Sequence, residues 1–373
     1  MNNKTGLYIH LPFCHKKCAY CDFVSYENCL HLGDSYADAV IAEMEQYRGT
    51  VIDSVYLGGG TPTALPPSLL VRLLLGVQAC FSLAENAEIT VEANPGTCTL
   101  PGLLALRDAG INRISLGAQS FIDSELATLG RIHSSAQTEE AVRLCREAGI
   151  DNISLDLMFS LPESSCETVS YSLSRLLSLA PTHVSCYSLT LCDRTPLQKA
   201  VETGMLVLPD EEEDRAQYHY ICKTLADHGY LQYEISNFAL PGKEARHNTK
   251  YWERAPYIGL GAAAHSFFDG CRYENPAALE DYFARVQSGS HPAGEAVSAQ
   301  DAMAEFFFLG LRMTQKGVSR RDFQARFGMP MDVRYGATIA KLTRLGLLSD
   351  LGDRLVLSAR GIDVSNSVFC EFL

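Results

Sequence analysis

The feature that most constrains the fold is an alternation that fills the first half of the chain. Six short apolar runs, at residues 7–11, 54–57, 88–92, 113–116, 152–156 and 183–187, each fit a β-strand. Between them, residues 35–47, 68–81, 100–109, 135–148 and 166–179 carry apolar side chains at helical spacing. Gly110 and Gly149 stand where two of these helices should stop, each followed at once by an isoleucine. A strand–helix–strand repeat of this kind builds a parallel α/β sheet with right-handed crossovers. About six units form either a partial (β/α)6 barrel or an open doubly wound sheet.

The unusual residues fall at the C-terminal ends of these strands. After the first come Cys14, Cys18 and Cys21; after the second, the run from Gly58 through Gly59, Gly60, Thr61 and Pro62 to Thr63; after the third, Glu92 to Gly96. The fourth leads into Gly117 to Phe121, the fifth ends at Asp156, and the sixth ends at Tyr187 and Ser188. In a parallel βα barrel these ends share one face, where ligand sites are built. One pocket is therefore expected, not six separate motifs.

Cys14, Cys18 and Cys21 form a CxxxCxxC run in which three thiolates can converge on one inorganic centre: an iron–sulfur cluster, zinc or copper(I). Zinc would need His15 or His10 as a fourth ligand, whereas structural zinc sites usually come as two separated pairs. Neither Asp22 nor Phe23 adds a nearby thiolate, so a four-iron cube held here keeps one iron open for a ligand. Disulfides fit poorly, because thirteen cysteines is an odd number and a chain of 373 residues buries a full core without covalent staples. A reducing, cytoplasmic setting is expected, and residues 1–13 read as neither a signal peptide nor a membrane span. The net charge of −13 argues against a nucleic-acid partner.

Taken singly, the other motifs are ambiguous. Three glycines after a strand can simply turn the chain, and without a following Gly-Lys-Ser/Thr they are no P-loop. Their other reading is backbone free of Cβ that approaches a charged ligand closely. Glu92 and Asp156 each read as well as strand-end structural acids, and Gln119 and Arg131 are no clearer. Around one cysteine loop, however, the four supply partners for a zwitterionic amino acid and a ribose.

The cysteine loop, the Gly-Gly-Gly-Thr-Pro loop, the Glu-Ala-Asn-Pro-Gly turn and the βα repeat resemble radical S-adenosylmethionine proteins. More closely they are similar to the coproporphyrinogen-dehydrogenase-like branch and its heme-chaperone group. The likeness spans nearly the whole chain and continues through residues 112–121, 129–133, 233–238, 246–252 and 257–266. It implies a [4Fe–4S] cluster on Cys14, Cys18 and Cys21, with the amino and carboxylate groups of S-adenosyl-L-methionine on the open iron. Tyr8 would lie beside the cluster. Gly59, Gly60 and Thr61 would meet the methionine part, and Glu92, Gln119, Arg131 and Asp156 the remaining polar parts. In the superfamily's enzymes an electron from the reduced cluster cleaves the sulfonium bond.

Two departures separate the chain from the coproporphyrinogen enzymes. Those resemble CxxxCxxCxC, where Phe23 stands here, and they carry an N-terminal extension, where only a few residues precede the first strand here. Both favour the heme-chaperone group, with heme as ligand, respiratory membrane proteins as heme acceptors, and a homodimer as one oligomeric state open to it. A third departure affects the loop after Asp156, where Ser160 and Glu163 replace glycines of a usual Gly-Leu-Pro-Gly-Gln. The run from Arg246 to Trp252 matches that group's HNxxYW signature, and His247, Tyr251 and Trp252 are the expected heme contacts. His10, His133 and His265 are secondary candidates.

Past residue 290 the pattern changes. Residues 302–312, 319–327 and 332–345 read as helices and 347–349 with 354–358 as a hairpin, a winged-helix-like module. With few basic residues clustered there, packing or protein contact is expected rather than DNA binding. The organisation expected is a barrel over residues 1–230, an extension over 231–290 with the HNxxYW segment, and the C-terminal module over 291–373. Three functions remain in view: a heme chaperone without coproporphyrinogen dehydrogenase activity, a radical enzyme acting on coproporphyrinogen III or another tetrapyrrole, and a zinc or cluster protein that presents a binding surface.

Overall fold

The computed structural model describes residues 5–373; of the N-terminal run read for a leader, residues 1–4 lie outside the described residues. Six strands, β1 (Thr5–Leu11), β2 (Val51–Gly59), β3 (Ser82–Ala93), β4 (Arg113–Gln119), β5 (Ile153–Phe159) and β6 (His183–Ser188), pair in parallel in their sequence order. A doubly wound sheet would reverse its strand order part-way. This one does not, so it curls in one direction as a partial barrel and α/β is the observed class. Its far edge continues antiparallel through β7 (Leu231–Glu234) and β8 (Asn237–Ala239), which pairs with β6. On the other side β9 (Tyr257–Leu260) runs parallel to β1 and leads into an antiparallel ribbon of β10 (His265–Phe268), β11 (Cys271–Glu274) and β12 (Gly294–Ala296). Among the described residues the two sheet edges do not pair, and the barrel stays open.

Helices α1 (Gly33–Met44), α2 (Pro67–Cys80), α3 (Leu100–Asp108), α4 (Ser135–Glu147) and α5 (Cys166–Ser178) connect the strands. Their apolar faces meet the outward face of the sheet in one core that runs from Leu7 to Tyr282. Reciprocal capping boxes start α4, at Ser134 and Gln137, and α5, at Ser165 and Thr168. Gly110 and Gly149 follow their helices with φ of 108° and 81°, which explains glycine at both helix stops.

One buried acid in α1 joins the two ends of the fold. Glu43 accepts hydrogen bonds from the Gly261 amide at 2.9 Å, Asn275 Nδ2 at 2.8 Å and Tyr282 OH at 2.8 Å, and it is paired with Arg285. These groups follow β9 or lie in α6 (Leu279–Ser288), so a single carboxylate fastens the flank of the barrel to its first helix.

The strand limits differ from expectation at one functional position. β5 runs to Phe159, because Leu157, Met158 and Phe159 continue the pairing with Cys186, Tyr187 and Ser188. Asp156 therefore lies inside the strand rather than at its end. Ser160 and Glu163 hold φ of 58° and 62°, the left-handed conformation that glycine adopts without cost.

The C-terminal region is a winged-helix-like module. Helices α7 (Ala299–Gly310), α8 (Arg320–Phe327) and α9 (Met331–Arg344) pack on a three-stranded sheet in which β15 (Arg354–Leu357) lies between β13 (Val318–Ser319) and β14 (Leu348–Asp350). The module has its own core, where Phe307 stacks on Phe372 at 4.2 Å and meets Tyr335 edge-on. Arg312 to Glu234 and Thr314 to the Gln232 carbonyl tie it to β7.

Candidate cofactor site

The cysteine loop leaves β1 and is held against the glycine loop that leaves β2. Phe13 and Cys14 pair with Tyr26 and Glu27, while the amides of Gly60 and Thr61 donate to the carbonyls of Leu11 and Phe13 at 2.9 and 2.8 Å. A Cβ on Gly60 would stand 2.6 Å from the Phe13 carbonyl oxygen and 3.0 Å from Cys14 Sγ. Gly59, at φ 113°, would set a Cβ 2.6 Å from the His10 ring. The glycines are thus required first by the cysteine loop packed against them, a contact between protein elements.

Cys14, Cys18 and Cys21 all line one cavity of about 360 Å³, together with Gly59, Gly60 and Thr61. Cys14 Sγ lies 3.7 Å from Thr61 Oγ1, and burial pushes the thiols of Cys14 and Cys21 up, the latter to about 11. Among the described residues, no three His, Cys, Asp or Glu side chains draw together around a single ion. Three thiolates on one loop at this cavity are a ligand set that can take three different irons of a four-iron cube. Phe23, 65% exposed, forms part of the wall where a further thiolate would stand in the CxxxCxxCxC pattern.

Four predicted polar contacts line the same cavity: Glu92, Gln119, Arg131 and Asp156. Arg131 spans two walls, donating from one guanidinium nitrogen to the Gly117 carbonyl at 2.7 Å and from the other to Cys18 Sγ at 3.4 Å. Gln119 reaches the cavity through a bulge. The register between β4 and β5 shifts between Leu116 and Gln119, and Gln119 takes φ of 65°. Glu92 accepts from Tyr56 OH at 2.8 Å and from the Gly59 amide at 3.1 Å. Burial, reinforced by the nearby Asp156 carboxylate, pushes its carboxyl up to about 7. Asp156 accepts weakly from Ser115 Oγ at 3.4 Å, and burial raises its carboxyl too.

The sequence reading missed what lies beneath. Arg113, only 2% exposed, sits in the barrel with Glu92 and Asp156 in its field and leaves its Nε without a partner. It looked like an ordinary residue beginning an apolar strand; its inward position in the strand alternation was the available signal. Cys192 and Tyr187 also line the cavity, from β6 and the loop after it, with the Cys192 thiol paired to Asp22. Nothing in the local sequence of Cys192 marks it.

Other candidates stand apart from the cavity. Tyr8 faces the barrel interior below the lining, donating to His10 Nδ1 at 2.9 Å while His10 Nε2 donates to the Val24 carbonyl. His133 is buried against the Ala118 carbonyl, and His265 is exposed on β10. His247 is 1% exposed, with Nδ1 3.0 Å from Ser54 Oγ and Nε2 2.9 Å from Tyr251 OH. Both nitrogens of its imidazole thus have hydrogen-bond partners within the protein. Tyr251 and Trp252 are half-buried, the indole lying under the Arg312 guanidinium at 4.4 Å.

Residues 8–171 match the radical SAM superfamily and residues 297–364 the HemN C-terminal domain. The chain is 36% identical to the heme chaperone HemW of Lactococcus lactis over 373 residues, covering 100% of this chain and 98% of that protein. It is 33% identical to heme chaperone HemW of Escherichia coli, covering 99% and 98%. Coproporphyrinogen III oxidase (HemN) of Escherichia coli superposes with a TM-score of 0.87 over 99% of this chain and 90% of that one, at 22% identity, which establishes the fold. Matching relatives along their whole length and carrying the cysteine loop at the mouth of the same barrel, the chain belongs to the HemW heme chaperone family within the radical SAM superfamily.

Proposed function

We propose that this chain is a heme chaperone, binding heme and passing it to respiratory membrane proteins, with a [4Fe–4S] cluster and S-adenosylmethionine in the barrel cavity. The observation that carries the reading is the convergence of Cys14, Cys18 and Cys21 with Glu92, Gln119, Arg131 and Asp156 on one cavity. When bound, the two groups supply a reducible centre beside a sulfonium. The residues' own part is to hold and to orient. The three thiolates grip the cube, and the Gly59–Gly60–Thr61 backbone borders the methionine end. Glu92 and Asp156 offer acceptors to the ammonium and ribose hydroxyls, and Arg131 screens the thiolate of Cys18.

Phe23 at the cavity wall favours a carrier over a dehydrogenase. We read residues 1–230 as the cofactor barrel, 231–290 as the heme-linked extension and 291–373 as a protein-contact module, in a cytoplasmic protein that can act as a homodimer. No helix among the described residues is long and apolar enough to cross a membrane. The test is anaerobic cluster reconstitution followed by separate heme titration and coproporphyrinogen III turnover. Stoichiometric heme uptake without turnover is expected. Conversion of coproporphyrinogen III by the reconstituted protein would overturn the chaperone reading in favour of a radical enzyme.

A further inference from the structure

The HNxxYW helix, Arg246–Trp252, packs its buried histidine against Gly6 of β1 and Ser54 of β2, toward the strand starts and away from the cysteine loop. The His247 ring stacks on Tyr56, with centroids 5.3 Å apart and planes at 29°. Tyr56 in turn donates its hydroxyl to Glu92 Oε1, and Glu92 lines the cofactor cavity. His247 is itself fixed from three sides. Ser54 and Tyr251 take its two nitrogens, the Glu88 carboxylate accepts from its backbone amide at 3.0 Å, and β1 passes so close that a Cβ on Gly6 would stand 3.2 Å from the ring. A second contact secures the segment, Lys250 on Asp53 at 2.6 Å.

We propose that His247 is a positioning residue for the cofactor pocket: its ring fixes Tyr56, and Tyr56 fixes the Glu92 carboxylate that meets S-adenosylmethionine. The inference rests on the cofactor reading above and gives the HNxxYW signature a task other than supplying an axial ligand. The geometry favours it because the Tyr56 hydroxyl is spent on Glu92 while its ring packs in a triangle of rings, with Tyr8 at 6.2 Å and the stacked His247 at 5.3 Å, themselves 6.4 Å apart. Among the described residues Glu92 accepts from two donors, Tyr56 and the Gly59 amide, so loss of the first leaves the carboxylate hinged on the second.

The consequence is a coupling between the two ends of the barrel. A ligand that pulled His247 out of its stack would unfasten Tyr56 and so lower affinity in the cavity, and by reciprocity S-adenosylmethionine would oppose that withdrawal. Heme bound elsewhere on the chain would leave the pocket untouched.

The test compares wild type, His247→Ala, Tyr56→Phe, the double variant and His247→Phe, all cluster-reconstituted, by equilibrium binding of S-adenosylmethionine and by heme titration. Each single variant is expected to weaken S-adenosylmethionine about tenfold, the scale of a lost hydrogen bond to a charged group. The double variant should be no weaker than the weaker single, because both act on one chain of contacts. His247→Phe, which restores a ring against Tyr56, should recover most of the loss, and heme affinity should stay within twofold throughout. The proposal is overturned if His247→Ala binds S-adenosylmethionine as wild type does, if the two losses multiply in the double variant, or if His247→Ala loses heme alone. If His247→Ala does not fold, Tyr56→Phe and His247→Phe carry the same comparison. Wild type that loads a cluster yet binds no S-adenosylmethionine would remove the cofactor reading itself.

Discussion

Replacing Glu92 with glutamine should stabilise the cofactor-free protein, and only above a definite pH. The Glu92 carboxyl is held at about 7 against an ordinary value of 4.5, chiefly by burial and then by Asp156. Between those two values the folded chain binds a proton that the unfolded chain has released, so stability falls as pH rises across the window and levels off above about 7. The full difference corresponds to about 3 kcal/mol. Part of it belongs jointly to Glu92 and Asp156, which ionise in one space, leaving about 2 kcal/mol for Glu92 alone. Glutamine suits the site: its carbonyl accepts from the Gly59 amide and its amide group donates to the Tyr56 oxygen. Urea unfolding of both proteins at pH 5.5, 6.5, 7.5 and 8.5 measures the effect. The glutamine variant should already gain about two-fifths of the effect at pH 5.5, one unit above the ordinary value, and the full effect of about 2 kcal/mol at pH 8.5. A gap independent of pH, or a variant less stable at pH 8.5, would show that Glu92 is not held as a strained acid.

Three further outcomes follow from particular contacts. Glu43→Ala removes the acceptor shared by Gly261, Asn275, Tyr282 and Arg285 and should cost about 4 kcal/mol, seen as a lowered urea midpoint. Gly60→Ala drives a methyl group into the Phe13 carbonyl and toward Cys14, so reconstituted iron and sulfide per chain should fall well below wild type while the fold, followed by circular dichroism, persists. Glu163→Gly relieves a left-handed backbone and should raise stability by a few tenths of a kcal/mol to about 1 kcal/mol by thermal melting, the lower figure reflecting the added freedom of the unfolded glycine.

The barrel was legible because its signals are local and repeated. Apolar runs, helical spacing and glycine stops each report on a few adjacent residues, and the six strands and their helices overlap the segments those signals mark, with β3 starting six residues early at Ser82. Asp156 shows where local reading stops. The residues after it are apolar and could leave the sheet or continue in it, and only pairing with Cys186 to Ser188 decides that they continue. Glu43 shows the same limit for an acid. On α1 it looks like a solvent-facing residue, and its four partners come from residues 261–285, more than two hundred positions away. In sequence His247 stands out by its neighbours Tyr251 and Trp252, whereas Ser54 and Tyr56 on β2 decide what its ring does.

Glu92, Asp156 and Arg113 make the barrel interior costly as a core. An interior built for stability would carry branched aliphatic layers, yet here two carboxyls raised by burial share the space with an arginine whose Nε finds no partner. Such an arrangement persists when a ligand completes it, since binding to the native state alone adds about 2.7 kcal/mol at a hundred times the dissociation constant. The same reasoning separates the two kinds of residue around the cavity. Gly60 and Thr61 are satisfied by the cysteine loop without any ligand, and they keep their geometry in the empty protein. Glu92 and Asp156 are instead carboxyls whose ionisation burial opposes, so their protonation and its cost to stability are the properties that cofactor binding should change most.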